Sequence, residues 1–331
     1  MAEDALFGDA LVDVLRAVHL TGTVFFDVEA SAPWAAEAPP AYRVGPAIMP
    51  GIDHVIEYHV VTSGECWATL LGDETPPVRL GAGDVVAFPQ GDAHVLSSAP
   101  GLRAEPNLDI HRRPECSNTL PLVLDLDGGG AERAHIVCGF LGCDARPFNP
   151  LLGALPRLMH MKRGHSGEWL NRLLTFAALE RAEKRAGGAS MLAKIGEIMF
   201  FDLVRNYLPA LADGEANWLA GFRDRHVGLA LNLLHQAPND AWTLERLAAE
   251  AGMSRSSLTE RFTHYVGMPP MQYLTSWRMQ LASGMLSNGD MSIAQIAVNV
   301  GYDSEAAFSR AFKRVVGLSP AIWRERRKTQ G

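Results

Sequence analysis

Two stretches of the chain, fifty residues apart, carry side chains suited to touching a nucleic-acid groove. On the outward faces of expected helices, one presents Arg255, Ser256, Thr259, Glu260 and Thr263, and the other Glu305, Ala306, Ser309, Arg310, Lys313 and Arg314. Short hydroxyls and small side chains allow close approach to base edges, and arginine or lysine can bond bases or phosphates. A single such helix could equally be a solvated face; two in tandem favour DNA. Thiol chemistry is a second candidate. Cys138 and Cys143 flank four residues in CGFLGC, whose glycines predict a turn able to join the sulfurs in a reversible disulfide or around a shared metal. Arg146 nearby would stabilise a thiolate. The alternative for both cysteines is a role as small core hydrophobes. With Cys66 and Cys116 they make four, too few for a disulfide framework.

The groove-facing residues need a scaffold, and the sequence repeats one. Placing Ser254 on Ser304 brings Leu258 onto Phe308, Phe262 onto Phe312, Tyr265 onto Val315, Gly267 onto Gly317, Pro270 onto Pro320 and Tyr273 onto Trp323. In each copy the first three lie at i, i+4 and i+7, an apolar helical stripe. Ahead of each copy runs a short Ala-rich helix, TLERLAAEAG or SIAQIAVNVG, whose alanines (Ala248–Ala249, and Ala294 with Ala297) permit close crossing. A glycine turn follows, and then a serine or aspartate placed to cap the next helix. Helix, glycine turn, helix is the sequence form of a helix-turn-helix.

With 331 residues the chain is long enough for two domains or more. At 47% hydrophobic and 20% charged residues it has a globular composition. It holds no apolar run near the roughly 18 residues that cross a bilayer. The acidic, amphipathic beginning lacks the basic region of a signal peptide, so a cytoplasmic protein without membrane partners is expected. Net charge is −7, unevenly spread: residues 222–331 hold 13 basic and 9 acidic side chains, a net of +4, leaving 17 and 28, a net of −11, for the rest. A basic end on an acidic body suggests nucleic-acid contact at that end.

Between about residues 24 and 143, HVIEYHVVT, CWATLLG, DVVAFP and RAHIVCGF read as strands separated by the turn signals LGD, GAGD and DGGG. A short helix is expected over 7–20. From about residue 169 the spacing becomes helical, over 169–186 and 191–211, with a break at 187–188.

From about Trp218 to Arg327 the chain resembles the AraC/XylS family of transcription regulators, through WTLERLAAEAGMSRSSLTERFTHYVGMPPMQYLTSWRMQLASGML and SIAQIAVNVGYDSEAAFSRAFKRVVGLSPAIWR. The resemblance implies seven helices, with Thr275–Leu286 in the helix joining two helix-turn-helix units that enter successive major-groove segments. By position it implies base-edge contacts from Ser256, Thr259, Glu260, Glu305, Ala306, Ser309 and Arg310. Phosphate contacts are implied for Arg255, Lys313 and Arg314. Glu260 and Glu305 either favour cytosine amino groups or are solvated and silent. The family also implies contact with RNA polymerase in activators, and a dimer interface in the linking helices, for which packing within the chain is the alternative.

Earlier, GAGDVVAFPQGDAHVL reads G-x5-P-x-G-x2-H from Gly83 to His94 and resembles the second motif of cupin barrels. GIDHVIEYHVVTSGECWATLLG resembles the first in weakened form, with Glu57 where a histidine is usual and no glutamate four or five residues after His59. What the resemblance implies is a divalent transition metal held by Glu57, His59 and His94, with Cys66 or water as a fourth ligand. The alternative is a barrel without metal, in which the histidines pack or bind an effector.

The expected architecture is multidomain α+β: a cupin-like β-barrel sensor over 1–150, a helical linker and dimerisation segment over 151–216, and an all-α DNA-binding domain with tandem helix-turn-helix units over 217–331. The expected function is a homodimeric DNA-binding regulator of promoters, an activator, whose barrel senses a small molecule, metal or oxidant. No catalysis is expected. The competing class is a metal-dependent cupin enzyme with an accessory helical domain.

Overall fold

The computed structural model describes residues 13–14, 20–111, 121–145, 147–164, 172, 176, 187–212 and 214–328. The helices expected over 7–20 and 169–186 lie almost wholly outside these residues, as do Cys116 and Arg146. By its packing the chain divides into two units, one holding Leu20–Cys143 with Leu155–Ala210 and the other Asp144–Ala154 with Leu211–Gly331. The segment expected as a separate linker is thus divided, its described residues 159–161 and 188–207 packing with the strands.

The first unit is two facing sheets. β1 (Thr21–Ser31), β3 (His54–Ser63), β6 (Val85–Phe88), β8 (Leu122–Asp127), β9 (Arg133–Cys143) and β10 (Met159–Met161) form the six-stranded sheet, in the order β10-β6-β3-β9-β1-β8. β2 (Ala35–Ala38), β4 (Glu65–Leu70), β5 (Val78–Gly81) and β7 (His94–Ser97) form the other, in the order β2-β7-β4-β5. The four strands legible in the sequence are β3, β4, β6 and β9. Between the sheets lies one apolar core that includes Phe26, Val28, Val61, Val86, Phe88, Ile136 and Phe140 from the larger sheet and Ala68, Leu70, Leu80 and Leu96 from the smaller. α1 (Ala41–Ile48) adds Val44 and Ile48 to it.

The outer face of the larger sheet is covered by α3 (Gly188–Tyr207), which packs on β1. The Tyr58 ring needs two glycines beside it: a Cβ on Gly139 of β9 or Gly196 of α3 would stand 2.3 and 2.5 Å from its atoms. The Glu197 carboxylate accepts from Gly22 N at 3.0 Å, tying α3 to β1. Nearby, His135 Nε2 meets Asp27 Oδ1 at 2.6 Å while its Nδ1 meets the Thr62 hydroxyl, joining β1, β9 and β3.

The second unit is helical among its described residues: α2 (Pro150–Ala154), α4 (Trp218–Arg223), α5 (Arg225–Gln236), α6 (Leu244–Glu250), α7 (Arg255–Val266), α8 (Pro270–Asn288), α9 (Ile293–Asn299), α10 (Glu305–Val316) and α11 (Pro320–Lys328). From Trp218 onward there are eight described helices rather than the seven implied, because Asp224, extended at φ −75° and ψ 123°, separates α4 from α5. Its carboxylate accepts from the backbone of His226 and Val227, satisfying donors that the first turn of α5 leaves open.

The repeat is real in three dimensions. Ser254 and Ser304 cap α7 and α10 by accepting from Ser257 N and Ala307 N, each at 3.2 Å. Phe262 meets Tyr273 edge-on at 5.6 Å and 73°, and Phe312 meets Trp323 at 6.1 Å and 77°. Three positions depart from the sequence reading. Val315 is 37% exposed, and Val316 packs on the core instead, since the buried stripe Phe308–Phe312 continues at i+4. Of the paired alanines, Ala248 and Ala297 are buried while Ala249 and Ala294 are exposed, so one methyl per helix sits at the crossing.

Candidate functional site

Strand alternation puts Glu57 and His59 on one face of β3. In the ladder His59 lies opposite Cys138 of β9 and Val86 of β6, and Glu57 opposite Phe140 and Phe88. His94 opens β7 on the other sheet, opposite Leu70. Between the sheets His59 Nε2 lies 2.7 Å from His94 Nε2, which is 3.8 Å from Glu57 Oε2. One ligand atom from each of the three falls within 4.8 Å of the others. His94 is held by a bond from Nδ1 to Asp92 O at 2.9 Å and by Phe88, stacked on it at 3.6 Å.

The surroundings are apolar and all three groups are buried. Burial pushes the Glu57 carboxyl up to about 8 and the His94 imidazole down to about 4. His59 falls well below its ordinary value, by burial first and then by the nearness of His94. All three are therefore uncharged at neutral pH. Glu57 Oε1 and His59 Nδ1 find no hydrogen-bond partner among the described residues, as do buried atoms elsewhere such as Tyr58 Oη and Asn232 Oδ1.

Two imidazoles and a carboxylate converging from facing sheets, with unsatisfied polar atoms among them, fit a divalent transition metal. The Asp92 carbonyl is the kind of outer partner that orients a ligating histidine. Cys66, expected as a fourth ligand, does not join the group. It pairs with Leu80, four residues along β4 from the Leu70 that faces His94, a separation of about 13 Å at ~3.3 Å per strand residue. Its buried thiol is pushed up to about 12.

The Cys138–Cys143 disulfide or shared site is also corrected. No turn separates them: both lie on the single strand β9 and both are buried thiols. Five residues along a strand span about 17 Å and put the side chains on opposite faces, against the ~4.4–6.8 Å between Cα atoms that a disulfide needs. Burial raises the Cys138 thiol well above its ordinary value. Its place opposite His59 was not foreseen, because strand register is not written in local sequence.

On the helical unit, Arg255, Ser256 and Glu260 of α7 are exposed and Thr259 half-buried; on α10, Glu305, Ala306, Arg310, Lys313 and Arg314 are exposed and Ser309 half-buried. The two helices differ in how their charges are held. Arg255 pairs with Glu245 of α6 at 2.6 Å, and Arg261 Nε with Asp224 at 2.7 Å. Thr259 donates back to Arg255 O at 2.8 Å, and the hydroxyls of Ser254 and Ser256 lie 3.1 Å apart. Arg310 and Lys313 make no ion pair with the described residues, so α10 presents the more available positive charge. The Asp224–Arg261 pair was missed in the sequence because its partners are 37 residues apart.

Comparison with known proteins agrees with this architecture. The cupin family profile matches residues 9–209 and a helix-turn-helix domain profile matches residues 247–326. The chain is 30% identical over 327 residues to the HTH-type transcriptional regulator AlkR of Acinetobacter baylyi, covering 96% of this chain and 99% of that protein. It is 30% identical over 284 residues to an AraC-like transcription regulator of Streptomyces antibioticus, covering 84% and 90%. Among solved structures, the DNA-binding domain of AdpA in complex with a target DNA aligns at 31% identity and TM-score 0.31, covering 33% of this chain and 99% of that one. With a tandem helix-turn-helix unit after a two-sheet cupin domain, the chain belongs to the AraC family of DNA-binding transcriptional regulators.

Proposed function

We propose that this regulator responds to a divalent transition metal held by Glu57, His59 and His94. The observation that carries the reading is the convergence of three buried ligand groups from facing sheets, with Glu57 Oε1 left without a hydrogen-bond partner beside them. Such a cluster costs free energy unless something completes it. In this reading Phe88 and the surrounding apolar core exclude water, and Asp92 O keeps the His94 Nε2 lone pair available. The site acts as a sensor and not as a catalyst: the relatives are named as transcriptional regulators, and the chain needs only to report occupancy.

DNA would be read by Ser256, Thr259, Glu260, Glu305, Ala306, Ser309 and Arg310 at base edges, with Arg255, Lys313 and Arg314 on phosphates. The active species would be a homodimer formed through α3, whose Met191 and Ile198, one heptad apart, are 49% and 47% exposed. Activation would proceed through contact of the helical unit with RNA polymerase. An oxidant switch between Cys138 and Cys143 is not proposed, for the geometric reason given above.

The test is elemental analysis of protein purified without a metal-affinity tag, alongside DNA binding with and without the metal found. One transition metal per chain, absent from His94→Ala, and a change in DNA affinity on its removal, are expected. Metal-free protein that takes up none of Mn(II), Fe(II), Co(II), Ni(II), Cu(II) or Zn(II) would reject the reading and leave a small organic effector.

A further inference from the structure

Arg278 stands where three parts of the helical unit meet. It lies midway along α8, the helix joining the two helix-turn-helix copies. Its Nε donates to Pro238 O at 2.6 Å and its Nη2 to Asp240 O at 2.8 Å, both in the loop that leads into the first copy. The same guanidinium lies over the ring of Tyr302, 5.7 Å from the centroid, in the turn of the second copy. Tyr302 is also close enough to Arg314 of α10 to feel its charge. Arg278 is half-buried, and burial lowers its pKa.

The two glycine turns show that this contact belongs to the second copy alone. Gly252 and Gly301 both have positive φ, 69° and 78°, so each turn requires glycine for its backbone. A Cβ on Gly252 would meet nothing nearer than 3.9 Å. On Gly301 it would stand 2.7 Å from Asn239 O and 2.7 Å from Arg278 Nη2. The second turn presses against the first copy's loop, and Arg278 fills the junction. It is also one residue longer, Tyr302–Asp303 where the first has only Met253, and that length supplies the ring on which the guanidinium rests.

We infer that Arg278 sets the spacing at which the protein reads the two halves of its DNA site. The inference rests on the assignment of α7 and α10 as the two base-reading helices. The joining helix carries Met279, Ala282 and Leu286 into the second copy's core beside Ile296, Phe308, Phe312 and Trp323, so the movement left to restrain is a swing of helix and second copy together against the first copy's loop. A planar guanidinium has donors in a rigid fork. Gripping two carbonyls on one side and an aromatic face on the other, it removes that swing. One base pair more between half-sites shifts the second by about 3.4 Å and rotates it by about 34°. A locked pair of helices cannot follow such a change and a loosened pair can.

Selection from a random duplex pool with the full chain gives the bound motif, and duplexes with one base pair inserted or removed between its two elements are then compared. Wild type should lose about tenfold or more on either change and Arg278→Ala about threefold or less, both preferring the same two elements. Tyr302→Leu, which leaves both carbonyl bonds, should fall between. If circular dichroism shows Arg278→Ala unfolded, Arg278→Lys carries the same comparison, since an ammonium cannot span both carbonyls and the ring. A full spacing penalty in a folded variant, or a loss uniform across spacings, overturns the inference but not the two-helix assignment. A selected motif with a single element overturns both.

Discussion

The Nε2 atoms of His59 and His94 lie 2.7 Å apart, and one hydrogen must serve both. Asp92 O can only accept, so His94 carries its hydrogen on Nδ1 and presents a bare Nε2. His59 then donates from Nε2, leaving its Nδ1 bare and without a partner. A divalent metal held here would take both Nε2 lone pairs, with the hydrogen of His59 moved to its Nδ1.

Metal removal should therefore be visible as stability. Ligand at a hundred times its dissociation constant stabilises the folded state by about 2.7 kcal/mol. A chelator should lower the midpoint of thermal unfolding by several degrees in wild type and leave His59→Ala unmoved. Equal shifts in the two proteins would place the metal elsewhere.

Stability should also fall as pH rises, through Glu57. In the unfolded chain its carboxyl ionises near 4.5, and in the fold burial delays this to about 8. Its contribution is fully present below 4.5 and is lost as pH climbs toward 8. His94, pushed down to about 4, and His59, also lowered by burial, act in the opposite sense and chiefly below their ordinary 6.5, and comparison with Glu57→Gln removes what remains of them. Between pH 6.5 and 8 the wild type should lose roughly 2 kcal/mol relative to Glu57→Gln, read from urea unfolding in the absence of metal. Parallel pH profiles would show that Glu57 is ionised in the fold.

Arg310 and Lys313, both exposed on α10, should fail differently. Arg310→Ala should relax preference at one base pair, at a cost of about 1–3 kcal/mol. Lys313→Ala should weaken all duplexes alike and reduce the slope of log affinity against log salt by about 1. Binding isotherms on a substituted-site series at several salt concentrations separate the two, and exchanged behaviours would reverse the assignments.

The buried thiols of Cys66 and Cys138 should be silent in the fold. With their pKa values raised by burial, they present almost no thiolate near neutral pH. Titration with an aromatic disulfide reagent should leave both unlabelled in native protein, by peptide mapping, and label both in denaturant. Rapid native labelling of Cys138 would revive a thiol-based response.

Much of the helical unit was legible because its information is local. The spacing Leu258–Phe262 and Phe308–Phe312, the caps Ser254 and Ser304 and the turn glycines act within a few residues, so the repeat can be read directly from the chain. Val315 was misjudged since which neighbour of a stripe turns inward depends on the helices packed against it. The strand-rich half gave up its motifs but not its pairings. Glu57 and His59 share a face by alternation alone, but their meeting with His94 depends on how two sheets stack. Cys138 and Cys143 show the limit from the other side: a glycine-rich hexapeptide reads as a turn, but pairing with β1 and β3 holds it straight and separates the sulfurs. Sequence by itself determined the repeated helices of the second unit and which residues could do chemistry, through short-range sterics and periodicity. Tertiary structure alone decided which of them meet, as in the His59–His94 pair and the Arg278 junction, because long-range packing and burial choose partners that chain proximity cannot.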